Sequence, residues 1–225
     1  MLGKDGIVAE FIGTFALVAI GGFAVLQADI GNLNLVGVAL AHFLVLSIMV
    51  YFGGRFSGAH YNPAVTLSFV ATRKIDGKTG LIYIITQLVA SIFAGIVLLL
   101  LKSEDMKGAV SKLGFPHVQQ GYDLWMAIFA EALGTFFLVF VIWAVAADKR
   151  APDQIFGFAI GGAVAFSILA IGPMTGAALN PARVFGPALI AADFENHIVY
   201  WIGPIIGGLL AGFLYNTIFL KEEEG

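Results

Sequence analysis

Long apolar stretches separated by short polar breaks dominate the chain. Six of them, at about 6–28, 35–54, 80–101, 122–147, 154–172 and 197–220, run roughly 18–25 residues. That is enough for a helix to cross a hydrocarbon core of about 30 Å. The breaks read DIGNLN, TRKIDGKTG, KSEDMKGAVSKLGFPHVQQGYD, ADKRAPDQ and DFENH. Two further apolar pieces, at about 64–71 and 182–192, are too short to span.

Each short piece follows nearly the same polar phrase, SGAHYNPAV (Ser57 to Val65) and TGAALNPAR (Thr175 to Arg183). Asn is a good helix N-cap, and Pro suits the first turn because its missing N–H had no helical partner to lose. Each phrase therefore predicts a half-helix that dips into the membrane, where irregular backbone is tolerated only if protein buries it or water reaches it. A second repeat frames the first: AEFIGTFALV begins at Ala9 and AEALGTFFLV at Ala130. Glu10 lies 52 residues before Asn62, and Glu131 lies 49 before Asn180. Each half holds three spans, so the second half enters from the opposite face, an inverted repeat of the kind that places a transport site near the midplane. The two half-helix N-termini, each carrying about +0.5 charge, would meet there. Asn62 and Asn180 would supply amide donors beside them.

Composition agrees with a membrane setting. Only 12% of the 225 residues are charged and 59% are hydrophobic, against about 25% charged in a soluble domain. The 28 glycines suit helices packed closely in lipid. There is no cysteine, hence no disulfide or thiol chemistry. The start MLGKDG lacks a cleavable signal pattern, so the first apolar segment is expected to be a retained span. The terminal side would hold Lys4, Arg55, Arg73, Lys74, Lys78, Lys149, Arg150 and Lys221, against Lys102, Lys107, Lys112 and Arg183 on the other. Eight against four places the termini in the cytoplasm. No Ser/His/Asp or metal-ligand grouping stands out, so no catalytic residue, metal, cofactor or nucleic-acid partner is expected.

The doubled NPA, the contexts SGAHxNPAV and NPARxFGPA, and the AExxGTF openings resemble the aquaporin (major intrinsic protein) family, and the resemblance covers essentially the whole chain. It implies an all-α membrane protein with six transmembrane helices and two re-entrant half-helices in a right-handed bundle. It implies a single channel domain over 1–225, with inverted repeats at about 1–115 and 116–225. A homotetramer in the lipid bilayer, with a separate pore in each subunit, is implied too. Asn62, Pro63, Ala64, Asn180, Pro181 and Ala182 would line the pore centre. Glu10 and Glu131 would hold the half-helix loops through backbone hydrogen bonds, and His60 would bond within its own loop. Gln87 and Pro204 occupy roughly equivalent places in the two halves.

By the same resemblance the selectivity filter would comprise His42, 20 residues before Asn62, Ile168, 15 before Arg183, and Ala177 and Arg183 themselves. Strict water channels of the family usually carry Phe in place of His42 and His in place of Ile168. The present set looks more like plant tonoplast intrinsic proteins, some of which pass ammonia and other small neutral solutes. His42 is expected to offer such solutes a donor or acceptor. His117 resembles a loop histidine near the pore mouth in that subfamily. Glycerol-conducting members usually have Asp after the arginine, where this chain has Val184; Ala188 and Tyr200–Trp201 also match the water type. The expected function is a passive water channel, with passage of ammonia or other small neutral solutes and exclusion of protons and ions. The alternatives are a glycerol-type facilitator and a coupled secondary transporter, whose ion site would have to use Glu10 or Glu131.

Overall fold

Inside a bilayer no water is available to the backbone, so a chain this apolar must satisfy its peptide groups within helices. The computed structural model describes residues 3–106, 112–152 and 154–220, and among these there are helices, turns and no strand. The eight α-helices are α1 (Lys4–Asp29), α2 (Leu35–Ser57), α3 (Pro63–Ala71), α4 (Gly77–Leu101), α5 (Leu124–Ile142), α6 (Phe156–Thr175), α7 (Pro181–Ala191) and α8 (Val199–Leu214). Helices α5 and α8 each continue into a closing π-helical turn, Trp143–Ala147 and Tyr215–Phe219. With those turns, six helices are long and apolar enough to cross a membrane. The nine and eleven residues of α3 and α7 reach only about half of a ~30 Å core at about 1.5 Å per residue. Lys107 and Lys221, counted above for orientation, lie outside the described residues.

Local chemistry explains most boundaries. Asn34, Asn62, Asp76, Asp123 and Asn180 cap α2, α3, α4, α5 and α7, each side chain accepting from a backbone N–H of the first turn. Two helices outrun their predicted ends. α2 passes through Arg55 to Ser57, and α6 passes through Pro173 to Thr175. Both stop at a glycine with φ 83°, Gly58 and Gly176, whose N–H groups close the last turn onto Gly54 O and Gly172 O. The left-handed glycine, not the charge or the proline, ends the helix.

The halves interlock. α3 packs on α8 of the other half, and α7 packs on α4. Missing side chains permit these approaches: a Cβ on Gly95 would lie 2.9 Å from Gly186 O, and one on Gly208 would lie 3.0 Å from Ala64 O. The outer faces of the spans are bare and apolar, with Trp125, Leu100 and Phe129 among the most exposed side chains. Polarity lies inside, where Glu10, Gln87, Ser91, Glu131 and Thr135 are fully buried. That inversion of the usual soluble pattern gathers the hydrogen-bonding groups around the two re-entrant loops.

Candidate functional site

The loops before α3 and α7 have the same backbone shape. Ala59 and Tyr61 have φ of 54° and 52°, and Ala177 and Leu179 have 50° and 54°. Left-handed conformations in such residues cost about 1–3 kcal/mol each and persist only where the surroundings impose them. Here a buried glutamate imposes each loop. Glu10 Oε1 accepts from Ser57 Oγ (2.6 Å) and His60 N (2.8 Å), and Oε2 accepts from Tyr61 N (2.8 Å) and Gln87 Nε2 (2.8 Å). Glu131 repeats the pattern with Thr175 Oγ1 (2.6 Å), Ala178 N (2.9 Å) and Leu179 N (2.7 Å). The second half has Pro204 where the first has Gln87, so the fourth donor has no counterpart. Hydrogen bonds to a charged group contribute about 1.5–3 kcal/mol each, enough to hold two strained residues per loop.

The two Asn side chains join the loops. Asn62 Oδ1 caps its own helix at Ala64 N (2.9 Å), and Nδ2 donates across to Leu179 O (2.8 Å). Asn180 Oδ1 accepts from Ala182 N (2.9 Å), and Nδ2 donates to Tyr61 O (2.9 Å). The half-helix N-termini therefore meet, as the inverted repeat predicts. An amide nitrogen has two hydrogens, so each Asn keeps one beyond its cross-loop bond. Pro63, Ala64, Pro181 and Ala182 form the buried first turns behind them.

Between these amides runs a narrow cavity lined by Asn62, Asn180, His42, His60, Ala177 and Arg183 on its polar side and by Leu17, Leu46, Leu138, Ile142 and Val164 on its apolar side. The room for water-sized spheres is about 30 Å³, or two to three waters at about 10–15 Å³ each. Toward the face that carries the start of α1 and the end of α8, the cavity shares His60, Ile142 and Ile160 with a recess of about 350 Å³. Toward the other face a recess of about 250 Å³ is lined by Val38, His117, Ile168 and Gly176, among others. This narrow cavity forms a waist between two wider recesses.

His42, Ala177 and Arg183 line the cavity itself, whereas Ile168, also buried, borders the recess one helical turn beyond Val164. His42 departs from its expected role. Its Nδ1 lies 2.9 Å from Val38 O and must donate to it, which leaves Nε2 to accept from Arg183 Nε at 3.3 Å. Both ring nitrogens are thus engaged within the protein, one on Val38 O and the other on Arg183 Nε. Arg183 also donates from Nη2 to Gly114 O (2.6 Å), while Nη1 has no partner among the described residues. His60 likewise reaches beyond its own loop: its Nδ1 pairs with Thr66 Oγ1 on α3 (3.1 Å), and its ring lines both the cavity and the recess. His117 does not touch Arg183. Its Nδ1 donates to Phe115 O (3.1 Å), and its Nε2 lies 3.5 Å from Asp193 Oδ2.

Several supporting residues lie outside the candidate site read from the sequence. Tyr61 is fully buried, donates to Met49 O (2.9 Å), and fits only because Gly13 and Gly53 have no side chain. Tyr200 donates to Thr175 O (2.8 Å). Ser91 accepts from Gly186 N (2.8 Å) and donates to Ala182 O, tying α4 to α7. Gly21 and Gly114 face His42 and Arg183 directly. The glycines of the repeated GTF phrase, Gly13 and Gly134, were a usable signal for Tyr61 and Leu179, which they face.

Comparison with known proteins bears on this geometry. The family model described as Major intrinsic protein matches residues 3–215. Aquaporin TIP4-4 of Zea mays is 38% identical over 224 residues, covering 96% of this chain and 87% of the relative. The probable TIP-type aquaporin RB7-18C of Nicotiana tabacum is 42% identical over 222 residues, covering 95% and 86%. Nodulin-26 of Glycine max is 36% identical over 223 residues, covering 96% and 79%. The aquaglyceroporin of Plasmodium falciparum, solved by X-ray, superimposes with a TM-score of 0.83 over 96% of both chains at 23% identity, a likeness of fold.

Proposed function

The chain belongs to the major intrinsic protein family, and on that premise we propose that it is a passive channel admitting water and ammonia while turning away glycerol, protons and ions. It is a channel and not an enzyme. The observation that carries the reading is Arg183 Nη1, a buried donor with no partner among the described residues, in a waist with room for two or three waters. It is the donor free for a passing molecule, since His42 spends both nitrogens on Val38 and Arg183. Asn62 and Asn180 offer their remaining amide hydrogens at the centre. Water can accept from all three in turn. Ammonia accepts one hydrogen bond well and tolerates the apolar wall that Ile168 leaves beside the filter.

Protons and cations meet three obstacles. The half-helix N-termini put positive potential at the waist. Two Asn donors turn waters in opposite senses, which interrupts a proton wire. A bare ion would also shed its hydration against an apolar wall. Val184 after Arg183, with Ala188 and Tyr200–Trp201, disfavours glycerol. The Lys/Arg bias supports cytoplasmic termini, and the bare apolar flanks support assembly of four copies in the bilayer, which native mass spectrometry of the solubilised protein would count.

The test is stopped-flow light scattering on proteoliposomes, beside internal pH after an ammonium pulse. Osmotic water flux and alkalinisation should both exceed empty liposomes, and glycerol flux should not. Exchanging His42→Phe with Ile168→His should lower ammonia flux more than water flux. No ammonia signal above empty liposomes would make this a water channel alone. Proton conductance tracking water flux would refute the exclusion argument, and saturable flux that follows a proton gradient would indicate a coupled transporter.

A further inference from the structure

The guanidinium of Arg183 is held from outside by a loop. Its Nη2 donates to Gly114 O, 69 residues earlier in the chain. Gly114 has φ of +68°, and a Cβ there would lie 2.1 Å from Gly22 O, so the loop is seated directly on α1. What keeps it there lies at the far end of α7. Asp193 follows that helix, with its backbone N–H tied to Ala188 O (3.0 Å). Its Oδ1 accepts from Glu195 N (3.1 Å), which aims Oδ2 at Lys112 Nζ, 2.7 Å away, and at His117 Nε2, 3.5 Å away. Lys112 and His117 flank Gly114 on either side.

We propose that Asp193 is a positioning residue for Arg183: it pins the loop at residues 112 and 117, and through Gly114 O it fixes the guanidinium that decides which solutes pass. This rests on the filter reading given above. Asp193 sits at the C-terminal end of the same half-helix that carries Arg183 near its N-terminus, so strap and arginine are referenced to one rigid element. Lys102 Nζ donates to Lys112 O, and Gln119 N donates to Met174 O (2.9 Å), which anchors the segment beyond His117. The Asp193 side chain is only 11% exposed, and its contact with Lys112 draws the carboxyl down to about 2, so the anchor stays charged at neutral pH. The His117 contact is an ion pair only when the ring is protonated. Freed of Asp193, the loop keeps its seat on Gly22 but not the lateral restraint that aims its carbonyl.

The experiment compares urea with water permeability in proteoliposomes of the full chain. Asp193→Asn should raise the urea-to-water ratio about twofold to fivefold, the scale of losing a partly exposed ion pair. Lys112→Gln, at a side chain more than half exposed and so safe for folding, should raise it similarly. The double variant should go no further than either single change, and Asp193→Glu should bring the ratio back toward wild type. If both single variants keep the wild-type ratio while Arg183→Val raises it, the strap is wrong and the filter stands. If Arg183→Val leaves the ratio unchanged, the filter reading falls and the strap with it. Reduced water flux with an intact ratio would mean general damage and would also overturn the proposal.

Discussion

A single methyl group at Gly21 tests the construction of the waist. A Cβ built there lies 2.4 Å from His42 Nε2 and 3.0 Å from two ring carbons. Contacts between carbon atoms are optimal at about 3.5–4.0 Å, so the ring would have to retreat by about 1 Å. It has nowhere neutral to go, because Nδ1 is held by Val38 O at 2.9 Å and Nε2 by Arg183 Nε at 3.3 Å. Retreat breaks the arginine contact and pushes imidazole into a cavity of about 30 Å³. An imidazole in that space keeps a passing water from Arg183 Nη1, and the charge-assisted hydrogen bond so denied to the water contributes about 1.5–3 kcal/mol. Expressed in the barrier to water at about 1.36 kcal/mol per decade, that slows flux about tenfold or more. Gly21→Ala should therefore assemble and conduct water at about a tenth of the wild-type rate or less in stopped-flow shrinkage. Gly162→Ala, whose added methyl meets nothing within 4 Å, should behave as wild type. Removing the ring in the same background, Gly21→Ala with His42→Ala, should recover water flux and lose solute discrimination. An assembled Gly21→Ala that conducts at the wild-type rate refutes the reasoning, as does a double variant that fails to recover.

Three further outcomes follow from other contacts. Wild type, with no cysteine, should be indifferent to mercurials, and Ala177→Cys, placed on the cavity wall, should become sensitive; continued insensitivity would move Ala177 off the path. Glu131→Gln puts an amide nitrogen against donors and should lower the unfolding temperature in detergent by roughly 3–12 °C, from the loss of one or more charged hydrogen bonds; an unshifted melt would deny its role in holding the second loop. On the terminal face, Asp148 accepts from Arg150 and from Tyr215 OH, and Arg150 Nη2 reaches Phe219 O (2.8 Å). The Arg150 contact holds the Asp148 carboxyl well below the usual carboxylate range. A depressed folded value means stability present above the unfolded value and lost only as pH falls through the folded one. The melting difference between wild type and Asp148→Asn should therefore be the same at pH 7 and pH 5, and a difference that shrinks over that interval would contradict it.

What the sequence revealed and what it hid divide along physical lines. The spans, both half-helices and their Asn caps were legible, because each depends on local periodicity or on a side chain bonding its own first turn. Glu10 and Glu131 were found through the repeat and by resemblance, and their bonds match that role. The apolar runs 35–54 and 154–172 end short of α2 and α6, because hydrophobicity marks only where apolar residues stop, while the controlling φ of Gly58 and Gly176 does not show in a residue's name. The engagement of both His42 nitrogens was hidden too, because it needs Val38 from the same helix and Arg183 from the other half. Gly21, Gly114 and Asp193 meet the filter across long separations, and nothing in a hydrophobicity pattern marks which glycine faces a histidine.

The crossed amide bonds also constrain how the chain is made. Asn62 donates to Leu179 O and Asn180 to Tyr61 O, so neither loop can finish its hydrogen bonding alone. When the first three spans have left the ribosome, the carbonyl of Tyr61 and the amide of Asn62 still lack their partners, and α3 lacks α8, against which it packs. The first half must wait in the membrane with polar backbone uncommitted until Leu179 and Asn180 arrive, 78 and 79 residues after Leu101. Completion is then a single joint event in which each half supplies the other's last bonds, so a chain released early has no finished half to fall back on and presents open loops to cellular quality control.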